Sequence, residues 1–245
     1  MEQKDFYNYD YDSDSNKKKK NKNKNKNKNK ITIFHNADKE WHEIWDNKRH
    51  MMNIPHPFRA VLTGPPSCGK SSFVLNFVMH QKPYFEEIIV IHVDPEYTKE
   101  YDIIKPKKLD KIPDPHSWDG KKKTLVILED LEYKGMDREQ KRCLDRLFGY
   151  VSTHKNISVC LTSQDCFNIN PGVRRCANIW VLWRIKDMDS IKVLSRKIGL
   201  TVKQICYLFN NFIDNNHDSI MIDNSDHSPY RIRKNGTELI KIINV

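Results

Sequence analysis

Residues 58–77 read FRAVLTGPPSCGKSSFVLNF, a glycine-containing segment between two apolar runs. The apolar run before the glycines predicts a buried strand, and residues 70–81 have the apolar spacing of a helix that ends near Pro83. The segment between them matches G-x-x-x-x-G-K-[ST], in which backbone N–H groups and a lysine hold phosphates. Its predicted nucleotide-binding residues are Gly64, Pro65, Pro66, Ser67, Cys68, Gly69, Lys70 and Ser71. We therefore predict that Lys70 contacts the β- and γ-phosphates of ATP and that the Ser71 hydroxyl binds Mg2+.

A second buried strand of interest is TLVILED, residues 124–130, which ends in Glu129 and Asp130. One acid at such a strand tip can hold the magnesium water shell, and a second can polarise a water for in-line attack on the γ-phosphate. Two adjacent acids favour ATP hydrolysis over a GTPase switch, and no Asn-Lys-x-Asp motif follows them. The alternative is a strand followed by ordinary helix-capping acids.

Two further features follow the acid pair. The strand ISVCLTSQD, residues 157–165, ends at Gln164, which we expect to sense the γ-phosphate or orient the water; the alternative is a surface glutamine at a strand end.

Arg174 and Arg175 are predicted in a loop between two buried strands, where one of them could act on the γ-phosphate bound by a neighbouring subunit. A solvent-facing arginine pair is the competing interpretation, and Arg184 is a lesser candidate.

The remaining pattern alternates strands with helices. We predict one helix over residues 137–156, with Asp137 as its N-cap, and two more over residues 189–199 and 201–213. The tail from Asp218 is predicted to form short strands around turns. A short strand and an amphipathic helix bearing Trp41, Ile44 and Trp45 are expected before the glycine loop, and residues 105–123 are expected to form a polar surface excursion. This order predicts an α/β fold, a mostly parallel sheet flanked by helices, over residues 31–245.

Composition sets the class of partner. The chain has 245 residues and a formal net charge of +10, much of it in the Lys/Asn run of residues 17–30. Such a run cannot bury apolar surface, so residues 1–30 are expected to form a disordered arm. The arm holds nucleic acid or is low-complexity drift without a function, and a nuclear-localisation signal is the third interpretation. The six cysteines show no spacing suited to zinc and suggest a reducing compartment. No signal peptide or membrane-spanning run is visible, so a soluble intracellular protein is expected.

Together, VLTGPPSCGKSS, LVILEDL, CLTSQD and NPGVRRCANIWVLWR resemble the FtsK–HerA superfamily of ring ATPases, most closely its viral genome-packaging branch. The resemblance runs from about Phe58 to Arg184 and implies a P-loop NTPase fold of the RecA/ASCE type. It implies ATP and Mg2+ on Lys70 and Ser71, Gln164 as the polar sensor and Arg174 or Arg175 as the arginine acting between subunits. The acid pair of the family usually begins with aspartate. By position Glu129 would face the metal and Asp130 the water, and the exchanged side-chain lengths leave that assignment open.

The resemblance also implies partners and a place of action. They are double-stranded DNA bound without sequence specificity, further copies of the chain in a ring, and capsid proteins, in the host cytoplasm and the virion, with no membrane partner. The leading hypothesis is thus an ATP-driven DNA translocase that packages a viral genome. The alternatives are a P-loop helicase or DNA-remodelling ATPase, a nucleotide kinase, and a nucleotide-gated DNA-binding protein that acts through its lysine-rich arm.

Overall fold

The computed structural model describes residues 32–36, 52, 54, 56–225 and 231–244, with the backbone alone for 32–36 and 242–244. The predicted arm of residues 1–30 and the predicted helix around Trp41, Ile44 and Trp45 lie outside the described residues. Within those ranges, no helix combines the length and the apolar character needed to cross a bilayer.

Within the residues that the structure describes, ten strands form one sheet, in the order β1-β10-β9-β8-β7-β2-β6-β5-β3-β4. The six strands from β7 to β4 in this order are mutually parallel, and β8, β9, β10 and β1 continue the sheet antiparallel. The strands are β1 (Thr32–Asn36), β2 (Arg59–Thr63), β3 (Glu87–Ile91), β4 (Lys107–Leu109), β5 (Thr124–Leu128), β6 (Ile157–Ser163), β7 (Ile179–Leu182), β8 (Ile220–Asp223), β9 (Ile232–Lys234) and β10 (Glu238–Asn244). The predicted α/β class with a mostly parallel central sheet is confirmed.

The helices are α1 (Lys70–Met79), α2 (Arg138–Arg146), α3 (Ser152–His154), α4 (Pro171–Cys176), α5 (Met188–Ile198) and α6 (Val202–Phe212). A π-helical segment, Leu147–Val151, joins α2 to α3, and a 3-10 segment, Pro95–Ile104, follows β3. Asp137 caps α2 by accepting from the Gln140 N–H, as the sequence predicts.

Two apolar cores lie on opposite faces of the sheet, because successive strand residues point to opposite sides. One core joins α1 to alternate residues of β2, β5 and β6, and the other joins α2, α5 and α6 to the intervening residues. The buried strands are apolar on both faces, as expected for parallel strands covered on both sides.

Strand β6 lies between β2 and β5, which places three functional strand ends side by side. Thr63 pairs with Ser163, and Leu128 pairs with Leu161, so β2, β5 and β6 all end at the same edge of the sheet. The strand that ends near Gln164, β6, therefore lies between the strand that leads into the glycine loop and the strand that precedes Glu129 and Asp130.

Two local predictions are wrong. The stretch 105–123 contains an edge strand, β4, which pairs in parallel with β3 through Ile89 and Lys107. Arg174 and Arg175 lie on the short helix α4 rather than in a loop, because Asn170 caps the helix through the Gly172 N–H and Pro171 occupies its first turn.

Candidate active site

The glycine loop turns tightly between β2 and α1. Gly69 has φ +98° and Ser67 has φ +57°, both in the left-handed region that lets a short loop reverse its direction. At the start of the loop, a Cβ on Gly64 would lie 2.7 Å from Trp183 Cβ, so only glycine fits there. The Gly64 N–H donates to the Ser163 carbonyl at 3.2 Å, which ties the loop to the end of β6.

Lys70 begins α1 and crosses the loop. Its Nζ donates to the carbonyls of Gly64 at 3.0 Å and Pro65 at 2.9 Å, and the residue is only 8% exposed. The N-terminus of α1 therefore presents a held ammonium group together with backbone N–H groups, an arrangement that attracts anions.

Glu129 is the acid that faces α1. The Ser71 hydroxyl donates to Glu129 Oε1 at 3.1 Å, and the Tyr101 hydroxyl donates to Glu129 Oε2 at 2.6 Å. Burial raises the pKa of the Glu129 carboxyl, against the lowering effect of hydrogen bonds from Tyr101, Thr162 and Ser71. Burial, followed by the charge of Glu129, also raises the pKa of Tyr101, so this phenol stays a donor.

Asp130 makes contacts different from those of Glu129. Its φ of +46° is left-handed, a conformation that aspartate tolerates better than most residues, and its N–H donates to Thr162 Oγ1 at 2.9 Å. The Gln164 amide Nε2 donates to Asp130 Oδ2, and both side chains are exposed. The structure thus joins the second acid to the glutamine at the neighbouring strand end, and an outlier backbone in such a place is typical of a functional site.

The three arginine candidates differ in their surroundings. Arg174 is half-buried: its Nη1 donates to the Cys166 carbonyl at 2.9 Å, and its Nε has no hydrogen-bond partner among the described residues. Arg175 is exposed. Arg184 Nη2 donates to the carbonyls of Phe209 and Ile213 at 2.7 and 2.5 Å, so it caps the end of α6 and is not brought to the glycine loop.

Sequence reasoning missed three residues at this site. Tyr101 comes from the 3-10 segment after β3, and Trp183 and His217 lie against the glycine loop. Trp183 Nε1 donates to the His217 carbonyl at 3.1 Å, and the His217 ring lies 3.7 Å from where a Cβ of Gly69 would be. Only Tyr101 had a local signal, since Asp94-Pro95 predicts the start of a helical segment.

These residues fit a magnesium-bound triphosphate. A hydroxyl and a carboxylate 3.1 Å apart are the hard oxygen ligands that Mg2+ takes, and the loop holds its lysine and the N-terminus of α1 beside them. Ser71 and Glu129 would hold the metal, and Gly64 to Lys70 would hold the phosphates.

Comparison with protein-family models gives no match, and comparison with curated protein sequences gives none either. Among solved structures, the genome packaging NTPase B204 from Sulfolobus turreted icosahedral virus 2, in complex with AMPPCP, aligns with a TM-score of 0.55 and 15% identity over 74% of this chain and 98% of its own. This chain has the fold of B204.

The same B204 fold recurs in two further comparisons. The DNA-packaging ATPase B204 from Sulfolobus turreted icosahedral virus aligns with a TM-score of 0.52 and 16% identity, over 71% of this chain and 95% of that one. The pCW3 conjugation coupling protein TcpA, with ATPγS, aligns with a TM-score of 0.50 and 10% identity, over 76% of this chain and 60% of that one. The solved structures of B204 include complexes with AMPPCP and with ATPγS.

Proposed function

We propose that this chain is a magnesium-dependent ATPase of the FtsK–HerA superfamily that translocates double-stranded DNA and packages a viral genome into a capsid. The observation that carries the proposal is the convergence of Lys70 and Ser71, Glu129 and Gln164 at one edge of the sheet, on three adjacent strand ends. The likeness to B204, a packaging NTPase, supports the choice among P-loop ATPases.

Each side chain then has a role in hydrolysis. Lys70 holds the β- and γ-phosphates, and Ser71 and Glu129 hold the metal. Asp130 polarises the attacking water, and Gln164, hydrogen-bonded to Asp130, orients that water and registers the γ-phosphate. When bound, Mg–ATP supplies the phosphoanhydride bond whose hydrolysis drives movement along DNA.

The structure favours Arg175 over Arg174 as the arginine that acts between subunits. Arg174 is engaged with the Cys166 carbonyl, whereas Arg175 is exposed and can reach a neighbour in a ring. An arginine supplied by another subunit stabilises the charge that develops on the γ-phosphate. We therefore propose a ring of identical chains that binds duplex DNA without sequence specificity. In the host cytoplasm, this ring binds capsid proteins.

Displacement of a triplex-forming strand from duplex DNA tests translocation directly. The wild-type chain is expected to displace the third strand only with ATP and Mg2+, and Lys70→Ala is expected to displace none. Displacement by Lys70→Ala at the wild-type rate would refute the motor. Separation of the two duplex strands themselves would favour a helicase instead.

Mixing two inactive variants tests the shared site. An Arg175→Ala subunit keeps its own glycine loop, and a Lys70→Ala subunit keeps its arginine, so a mixed ring contains interfaces with both groups intact. We expect each variant alone to lose ATP hydrolysis and the mixture to regain part of it. A mixture that stays as inactive as its components would show that Arg175 does not act on a neighbour.

A further inference from the structure

Helix α2 carries a cluster of cations that the hydrolysis site does not use. The cluster lines an open depression of about 450 Å3 on the surface. We call its four cations, Arg138, Lys141, Arg142 and Arg146, the basic face; Asp145 and Tyr150 complete the lining.

Helical spacing puts the basic face on the solvent side of α2. Arg138, Arg142 and Arg146 follow one another at four-residue intervals, so they lie on one side of the helix. The opposite side buries Cys143 and Leu144 in the core beneath the sheet.

Within the part of the chain that the structure describes, no acid neutralises the basic face. None of its cations lies within 4.0 Å of a carboxylate, and the two acids of α2, Glu139 and Asp145, form no ion pair with them. Asp145 instead accepts a hydrogen bond from the side chain of Asn170, the N-cap of α4. Like charges four residues apart destabilise a helix, and a helix face that only meets solvent more often alternates its charges. A bound polyanion would therefore remove an electrostatic repulsion that destabilises α2 in the free chain.

The helix that presents these cations is firmly held. Gln140 Oε1 accepts from the Ile112 N–H at 2.8 Å and its Nε2 donates to the Ile112 carbonyl at 3.1 Å, which ties α2 to the segment after β4. Only the 3-10 helix Tyr133–Gly135 and its flanking residues separate Asp130 from Asp137, the N-cap of α2. The basic face is therefore a preorganised surface connected by a short segment to the acid that we assign to the attacking water.

The spacing of the cations fits a phosphate backbone. From Arg138 to Arg146 the helix rises about 12 Å. One strand of duplex DNA presents roughly three to four phosphates over that length. Tyr150, 48% exposed at the rim, adds a side chain that can hydrogen-bond a phosphate or a sugar.

We propose that the basic face binds the phosphate backbone of duplex DNA without reading its bases. This inference rests on the proposed function, since it names the surface through which the ATPase meets its polymer. It predicts salt-dependent binding that is insensitive to sequence, because counterions released from the phosphates drive it.

A triple substitution, Arg138→Gln, Arg142→Gln and Arg146→Gln, tests the basic face in the full-length chain. The matched control removes the same charge from exposed positions of α5 and α6, by Arg196→Gln, Lys197→Gln and Lys203→Gln. Affinity for a fluorescent duplex is measured by anisotropy across a range of KCl concentrations, beside the basal ATPase rate and the particle mass. The lysine-rich arm is common to all three proteins, so any difference between them reports the substituted surface.

If the basic face contacts three phosphates through these arginines, the slope of log affinity against log salt falls by about 2.7, and affinity at 0.15 M salt falls roughly 100-fold. The control keeps the wild-type slope, and basal hydrolysis and particle mass are unchanged in both variants. An affinity and slope equal to those of the control would overturn the proposal. Loss of particle mass with unchanged DNA affinity would also overturn it and would assign this face to a neighbouring subunit.

The same data separate this inference from the proposed function. A wild-type chain that hydrolyses no ATP, with DNA affinity that still falls in the triple variant, would support the basic face and reject the motor. DNA-stimulated hydrolysis that survives intact in the triple variant would support the motor and reject the basic face.

Discussion

Tyr101→Phe is the substitution that probes the acid of the candidate site most sharply. It removes a single buried hydroxyl, which donates to Glu129 Oε2 at 2.6 Å, and it leaves the aromatic ring in the core. Tyr101 is 0% exposed, so solvent does not screen the bond. Because the ring stays, we expect little change in packing and a direct effect on the carboxylate.

The size of the effect follows from the type of hydrogen bond. A hydrogen bond to a charged group contributes about 1.5–3 kcal/mol. If that stabilisation is needed in the transition state, kcat falls about 10- to 150-fold. The KM for ATP should change less than kcat, since the hydroxyl that is removed donates to Glu129, whereas Lys70 is held by the carbonyls of Gly64 and Pro65.

The pH profile gives a signature that a purely structural role would not give. Burial raises the pKa of Glu129, and the Tyr101 hydrogen bond opposes that rise. Without the hydroxyl the pKa rises further, so less of the carboxylate is ionised at any given acid pH. The acid limb of kcat against pH therefore moves to higher pH, and the loss of rate is largest there.

Steady-state ATPase assays over pH, with thermal unfolding as a check on folding, make the measurement. Tyr97→Phe is the matched control, because Tyr97 lies on the same 3-10 segment but is 76% exposed. An unchanged kcat with an unmoved acid limb in Tyr101→Phe would refute the assignment of Glu129 as a working carboxylate positioned by Tyr101.

Three further substitutions test the candidate active site and the packing of the glycine loop that holds it. Lys70→Ala should abolish nucleotide binding in an equilibrium assay, because it removes the ammonium group placed at the phosphates, while the fold survives by circular dichroism. Glu129→Gln should bind nucleotide without hydrolysing it. In urea unfolding, this variant should become more stable relative to the wild type as pH rises from about 4.3 to neutral. The raised pKa of Glu129 means that ionising the folded carboxyl costs free energy, and glutamine avoids that cost. A difference in unfolding free energy that stays constant across pH would contradict this reasoning. Gly64→Ala should lose about 1–3 kcal/mol of unfolding free energy, because its Cβ would meet Trp183, whereas Gly149→Ala, with nothing within 4 Å, should lose none.

The glycine loop and its strand ends were predictable because each is encoded locally. Gly64, Lys70 and Ser71 sit at fixed spacings between an apolar strand and a helix, and parallel strands bring their carboxyl ends to one edge. The meeting of Asp130 with Gln164 follows from β6 lying beside β5 in the sheet.

The local signal at Asp94-Pro95 marks only the start of the segment that carries Tyr101. Its contact with Glu129, which follows β5, could not be predicted, because the contact arises only when β3 pairs with β5. The edge strand β4 was missed since only three residues form it and two of them are lysines. The helix α4 did have a signal, Asn170-Pro171, which is the N-cap and first position of a helix, but its six residues give too little apolar periodicity to mark it.

Hydrolysis of ATP on the glycine loop should be coupled to movement along duplex DNA. The ATPase rate of the purified wild-type particle, of known mass, measured with and without duplex DNA, reports that coupling. We expect a multi-subunit particle whose ATP hydrolysis is weak alone, rises with added duplex and is absent in Lys70→Ala. A particle that binds duplex DNA but hydrolyses ATP at the same rate with and without it would show that the chain is not a DNA-driven motor.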